Sequence, residues 1–102
     1  MNKVTRQEAL QYDAQALRAD TGKREHNIQI FEETIGKEKA AADNFTYIIS
    51  QIDPGHPDVK VLEGNIKKIK ANIKTFKDAI EEEKSQIERD NKMIKIIDKG
   101  KA

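Results

Sequence analysis

A short segment near the middle of the chain contains side chains that could bind a divalent metal ion. Residues 53–58 read Asp-Pro-Gly-His-Pro-Asp. The carboxylates of Asp53 and Asp58 and the imidazole of His56 are oxygen and nitrogen donors that divalent metals accept. The same residue types also favour a tight reversal between two helices. We prefer the turn, so the sequence predicts no metal and no cofactor.

The apolar residues on both sides of this segment recur with heptad spacing. After the segment, two series recur every seven residues: Val59, Ile66, Ile73, Ile80, Ile87 and Ile94 at position a, and Leu62, Ile69, Phe76, Glu83, Asp90 and Ile97 at position d. Before it, position a holds Ala14, Thr21, Ile28, Ile35, Ala42 and Ile49, and position d holds Leu10, Leu17, Arg24, Phe31, Glu38, Phe45 and Ile52. This pattern predicts two helices that pack as an antiparallel coiled coil.

Local signals set the expected bounds of helix one. Thr5 followed by Glu8 matches a capping box, in which the first side chain accepts from the backbone of the second. We therefore expect helix one at about 5–52. Glycine lowers helix stability, so the Asp20-Thr21-Gly22 segment is the expected place of a kink or break.

The prolines set the expected turn. Pro54 disfavours helical geometry at the residue before it, and Gly55 could adopt a left-handed conformation. The turn is therefore expected at 53–57 and helix two at about 58–99. The whole chain, 1–102, is then one all-α domain, an antiparallel two-helix coiled-coil hairpin that we expect to dimerise into a helical bundle.

The antiparallel register can be counted outward from the turn. It places Phe31 opposite Ile80 and Ile35 opposite Phe76, so no layer is expected to pair two aromatic rings. Farther out, it places Arg24 between the layers of Glu83 and Asp90. We interpret these three residues as an internal polar cluster that sets the register. The alternative is that the charges extend to water.

One flank of the predicted core is almost uncharged. Small or neutral side chains let helices approach closely, so this neutral face is the candidate surface for a second copy or a partner helix. Its residues are Asn27, Thr34, Ala41, Ile48, Asn65, Asn72, Ala79, Gln86 and Met93. A candidate contact also lies at the tip, near the turn, where Tyr47, Ile48, His56 and Val61 occur.

Helix two carries a row of basic residues that could follow phosphates. The row consists of Lys60, Lys67, Lys70, Lys74 and Lys77. It contains no interleaved aromatic residues, and Glu63 interrupts it. We prefer a solvated face balanced by acidic residues, and nucleic-acid binding is the alternative function.

Composition excludes several classes of protein. The formal net charge of +1 is not that of a general nucleic-acid binder, and the absence of cysteine excludes disulfide scaffolds and thiolate zinc sites. No apolar stretch predicts a membrane span or signal peptide, so the cytoplasm is the expected location. No phosphate loop or His-Glu-x-x-His motif occurs, and we predict a non-enzymatic protein-binding module: an adaptor, assembly subunit or small inhibitor.

Two similarities of shape suggest a further alternative. The Pro54-x-x-Pro57 reversal before an apolar helix resembles that of type III secretion needle subunits. The hairpin is also similar to small secreted hairpins with a Trp-x-Gly turn, although this chain has no tryptophan. They assign no family, but imply a secreted helical-hairpin assembly subunit as a possible role.

Overall fold

The computed structural model describes residues 3–100, and this part of the chain is all-α. It contains α1 (Arg6–Ala9), α2 (Ala14–Gln51) and α3 (Pro57–Gly100), and no strand occurs among the described residues. The two long helices, α2 and α3, pack against each other as a helical hairpin. The all-α hairpin expected from the heptad pattern is therefore confirmed.

The chain divides into two compact units, and each contains parts of both long helices. Unit 1 combines Met1–Ile30 with Ala79–Ala102, and unit 2 is Phe31–Asp78. Unit 2 contains the turn between α2 and α3. Unit 1 contains α1 and the other ends of the two long helices. The predicted core positions are buried or half-buried from Ala14 onwards, as the heptad pattern requires.

The expectation of one continuous helix from about residue 5 is wrong. Thr5 caps α1 by accepting a hydrogen bond from the backbone N of Glu8, at 3.1 Å, but the helix ends at Ala9. The amide of Tyr12 donates to the carbonyl of Ala9, a three-residue step that closes the last turn. Asp13 then caps α2 by accepting from the amide of Gln15, at 3.4 Å. Asp13 lies within the range predicted for helix one, and as a residue type that favours the N-cap it was the sequence signal for a second helix start.

The helix is not broken at Asp20-Thr21-Gly22, the segment named as the place for a kink or break, and α2 continues through it. A salt bridge of 2.7 Å between Oδ2 of Asp20 and Nε of Arg24 spans one turn across the glycine. Pairs at this spacing stabilise a helix. The ion pair therefore offsets part of the cost of Gly22.

The segment between the long helices is a hydrogen-bonded turn. The amide of His56 donates to the carbonyl of Asp53 at 2.8 Å, and the amide of Gly55 donates to the Asp53 carboxylate at 3.0 Å. Pro57 is the first residue of α3. Gly55 does not have a positive φ, so the left-handed conformation considered for it is not used.

Unit 2 has few fully buried side chains. Within Phe31–Asp78, only Ile35 and Ile69 are buried, and the remaining apolar core positions are half-buried. The ring centroids of Phe31 and Phe76 lie 5.9 Å apart. The register assigns these two rings to neighbouring layers, and the rings are long enough to meet across them.

Unit 1 has a small apolar core that includes the N-terminal segment. Ala9 is fully buried and packs in one cluster with Ala14, Leu17, Met93 and Ile97. The Glu8 carboxylate lies 3.0 Å from Nη2 of Arg89 on α3 and fixes α1 to that helix. Because α1 folds back in this way, it covers part of α3 that a two-helix hairpin would leave open.

Among residues 3–100, the structure contains no helix whose length and apolar character would let it cross a membrane.

Candidate functional site

In unit 1, the guanidinium group of Arg24 on α2 forms ion pairs with two acidic side chains. Its Nε lies 2.7 Å from Oδ2 of Asp20, and its Nη1 lies 3.4 Å from Oε1 of Glu83 on α3. About a quarter of the Arg24 side chain is exposed. The structure thus brings Arg24 and Glu83 together, as two members of the expected polar cluster.

The second carboxylate oxygen of Glu83 is buried and has no hydrogen-bond partner. A buried carboxylate oxygen without a donor carries a desolvation cost. Arg24 offsets only part of that cost, because it contacts the other oxygen. The position of Glu83 in the core is therefore costly, and Arg24 is the cation that pairs with it.

Asp90 is the one charged residue that is buried among those described, with 5% of its surface exposed. Its Oδ2 accepts from the Thr21 hydroxyl at 3.4 Å. Burial and the neighbouring Asp20 carboxylate together raise the pKa of Asp90 to about 6, and burial has the larger effect.

Asp20 is the member of this site that the sequence analysis missed. Its neighbours Asp90 and Arg24 lower the pKa of Asp20, and the contact with Arg24 is the 2.7 Å salt bridge. The sequence contained one usable signal, the spacing of four residues between Asp20 and Arg24. A helical salt bridge at that spacing was not considered.

An open cavity of about 320 Å³ adjoins Asp20 and Asp90 within unit 1. Tyr12, Asp20, Arg24, Arg89 and Asp90 are among the residues that line it. The acidic and basic side chains at the cavity form ion pairs, Asp20 with Arg24 and Arg89 with Glu8. Because the cavity is open, solvent reaches the contact between α2 and α3 at these side chains.

The structure leaves some residues of the predicted neutral face exposed or half-buried and buries another. Met93 was assigned to it, but the structure buries Met93, with 3% exposed, beneath the N-terminal segment. The reason is the unexpected return of α1 onto α3. In unit 1, Asn27 is exposed, whereas Ala79 and Gln86 are half-buried. In unit 2, Asn72 is exposed, and the half-buried members of the face are Thr34, Ala41, Ile48 and Asn65.

The candidate tip contact lies in unit 2 and leaves large apolar side chains in water. Tyr47 is 64% exposed and Val61 is 62% exposed. Ile48 is half-buried and His56 is exposed. Unit 2 therefore has both a poorly buried core and exposed apolar residues beside it.

The donor atoms of the turn are used within the turn. Nδ1 of His56 accepts from the amide of Asp58 at 3.0 Å, which caps α3, and the Asp53 carboxylate accepts from Gly55. Among residues 3–100, no group of acidic and histidine side chains is arranged to hold a metal ion. The turn thus uses the side chains of Asp53 and His56, which the metal hypothesis treated as ligands, as acceptors for its own backbone amides.

The lysine row is exposed along its whole length in unit 2. Nζ of Lys74 lies 3.0 Å from Oδ2 of Asp78, one turn later on α3. Unit 2 contains eight acidic and eight basic residues and is formally neutral. The row is therefore a local basic strip on a unit with no excess of positive charge.

Comparison of the chain with protein-family models, with curated proteins and with solved structures gave no significant match in any of the three. The functional argument consequently depends on the geometry of the two units.

Proposed function

We propose that the protein is a non-enzymatic protein-binding module that self-associates through its long helices. The observation that carries this proposal is the incomplete core of unit 2. Only Ile35 and Ile69 are buried there, while phenylalanine and isoleucine side chains at the other core positions keep contact with water. Covering apolar surface stabilises an association by about 25 cal/mol per Å².

A second copy of the chain is the proposed occupant. Two helices packed side by side leave the flanks of their shared core open, and a second hairpin closes them into a four-helix bundle. The neutral face of unit 2 suits this contact because Ala41 is small and Thr34 and Asn65 are uncharged. A stable dimer of this kind buries about 800 Å² per partner, and heptad spacing supports coiled-coil packing in it.

The exposed apolar pair near the turn supports binding of a further protein. Tyr47 and Val61 each leave more than half of their surface in water. Aromatic residues are enriched at the centres of protein interfaces. An adaptor, an assembly subunit or a small inhibitor would each use such a contact, and a cytoplasmic location is compatible with all three.

The non-enzymatic part of the proposal rests on the residues available. The sequence contains no cysteine and no recognisable phosphate-binding or metalloprotease motif. The cavity of unit 1 is open, whereas catalytic sites exclude water from the reacting groups.

A pair of variants on α2 tests the self-association. Ala41→Glu places a charge on the neutral face of unit 2, where desolvating it opposes contact with a second copy. Asn44→Glu adds the same charge at an exposed position one turn away. In sedimentation velocity experiments, Ala41→Glu should shift the protein towards single chains. Asn44→Glu should give the same distribution of sedimentation coefficients as the wild type. Equal distributions for all three would reject the neutral face as the contact.

The exposed lysine row favours a second candidate function, nucleic-acid binding. Binding through phosphates weakens steeply with salt, by about 10³–10⁵ between 50 and 200 mM for a protein with six to ten contacts. Lys67→Glu with Lys74→Glu would abolish such binding and leave self-association intact. Binding of duplex or single-stranded probes that collapses with salt and with these changes would favour this function.

A further inference from the structure

The short helix α1 is held to unit 1 by contacts that a second copy of the chain could make equally well. Ala9 is fully buried and packs in one cluster with Met93 and Ile97 of α3. The Glu8 carboxylate lies 3.0 Å from Nη2 of Arg89, also on α3. Nothing in these contacts depends on α1 and α3 belonging to the same chain, so the same contacts would hold the α1 of another copy.

The link between α1 and α2, residues 10–13, is compatible with a straight helix. It contains no glycine and no proline, and none of its residues has a positive φ. Leu10 already has helical dihedral angles, with φ −68° and ψ −12°. The amides of Gln11 and Tyr12 donate to the carbonyls of Glu8 and Ala9, three residues back. In a straight helix they would donate four residues back instead, so these hydrogen bonds would be exchanged rather than lost.

The sequence also favours such a straight connection. Leu10, Ala14 and Leu17 continue the heptad spacing of α2 back through the link. Asp13 opposes it, because its side chain caps α2 by accepting from the amide of Gln15 at 3.4 Å. One long capping hydrogen bond therefore favours the folded-back link over a continuous helix. In the continuous helix, α1 leaves the apolar cluster of its own chain and is free to enter that of another.

The link leaves two large apolar side chains in water. Leu10 is 56% exposed and Tyr12 is 50% exposed. If two chains exchange their α1 helices, the two links cross, and these side chains can cover one another. Exposed apolar residues at the link thus favour a contact with a second copy.

We propose that two copies of the chain exchange their α1 helices, so that each α1 packs on unit 1 of the other copy. The link straightens, and both the burial of Ala9 and the Glu8–Arg89 ion pair then form between chains. Because α1 must first detach, the exchange takes place during refolding at high protein concentration, whereas a dilute chain keeps α1 on itself. This dimer is separate from the contact proposed for unit 2.

Reversing the charges of the ion pair tests the exchange in the full chain. In Glu8→Lys a cation faces Arg89, and in Arg89→Glu a carboxylate faces Glu8, so each variant alone has like charges in contact. The two variants are unfolded in urea and refolded together at high micromolar concentration. In a mixed dimer, exchange then brings opposite charges together at both contacts. All chains also carry Ala41→Glu, which disrupts the contact proposed for unit 2, so a failure of that proposal does not affect this result.

Native mass spectrometry separates the mixed dimer from the two dimers of like chains. The control mixes Glu25→Lys with Lys95→Glu, two exposed positions of unit 1 that give the chains the same difference in net charge. It measures the general attraction between oppositely charged chains. The test pair should favour the mixed dimer roughly 2–30-fold more than the control does, because two partly exposed ion pairs form in it. A preference equal to that of the control, or no dimer at all, would overturn the proposal.

Discussion

Nη1 of Arg24 on α2 lies 3.4 Å from Oε1 of Glu83 on α3, in unit 1. The same guanidinium contacts Asp20 one turn earlier on its own helix. A single cation thus neutralises two carboxylates, and one of them has a buried oxygen without a donor. This relationship makes Arg24 the residue on which the charge balance of the interhelical contact depends.

Replacing this cation should destabilise the fold. Arg24→Leu leaves Glu83 without its partner, and we expect a loss of about 1–3 kcal/mol in the free energy of unfolding, less than the 3–5 kcal/mol of a fully buried pair because Arg24 is partly exposed. Urea denaturation measures this loss. Arg24→Leu combined with Glu83→Leu should recover most of it, since no unpaired carboxylate remains in that layer. The control Lys23→Leu removes an exposed cation beside it and should change stability little. An Arg24→Leu variant as stable as the wild type would contradict this account of the pair.

The N-terminal segment should detach when a charge is placed in its contact. Ala9 is fully buried against α3, so Ala9→Glu would bury an unpaired carboxylate. Hydrogen exchange should then show lost amide protection at residues 6–12, with protection in Phe31–Asp78 unchanged. Gln7→Glu, at an exposed position of α1, is the matched control. Unaltered exchange in Ala9→Glu would mean that α1 is not held through this contact.

Gly22 should be replaceable with a gain in stability. The structure is helical at this position and leaves open space where a Cβ would stand. Gly22→Ala should raise the free energy of unfolding by about 0.5–1 kcal/mol. Ala19→Gly, at an exposed position one turn earlier, should lower it by a similar amount. Denaturant titration of the two variants checks the pair, and a destabilising Gly22→Ala would contradict the open space at this position.

The heptad pattern was sufficient to predict the hairpin, because burial in two packed helices depends mainly on the spacing of apolar residues. The turn was predicted from the prolines, since Asp53, Pro54 and Pro57 each have few compatible local conformations. The register counted outward from this turn assigned Arg24 and Glu83 to adjacent layers, and the structure places their side chains in contact.

The parts that the sequence analysis missed depend on contacts that spacing does not encode. Asp13 begins a new helix only because the preceding turn closes, and the return of α1 buries Met93 through Ala9, a residue with no strong apolar signal. Asp20 joins the polar cluster through its salt bridge with Arg24, one helical turn later. Heptad positions identify which side chains face inward, but not which polar contacts they make.

Light scattering of the wild-type chain, measured from low to high micromolar concentration, tests the proposed self-association most directly. If a second copy covers the half-buried residues of unit 2, the molar mass should rise with concentration to twice that of one chain. A molar mass that stays at one chain up to high micromolar concentration would contradict it.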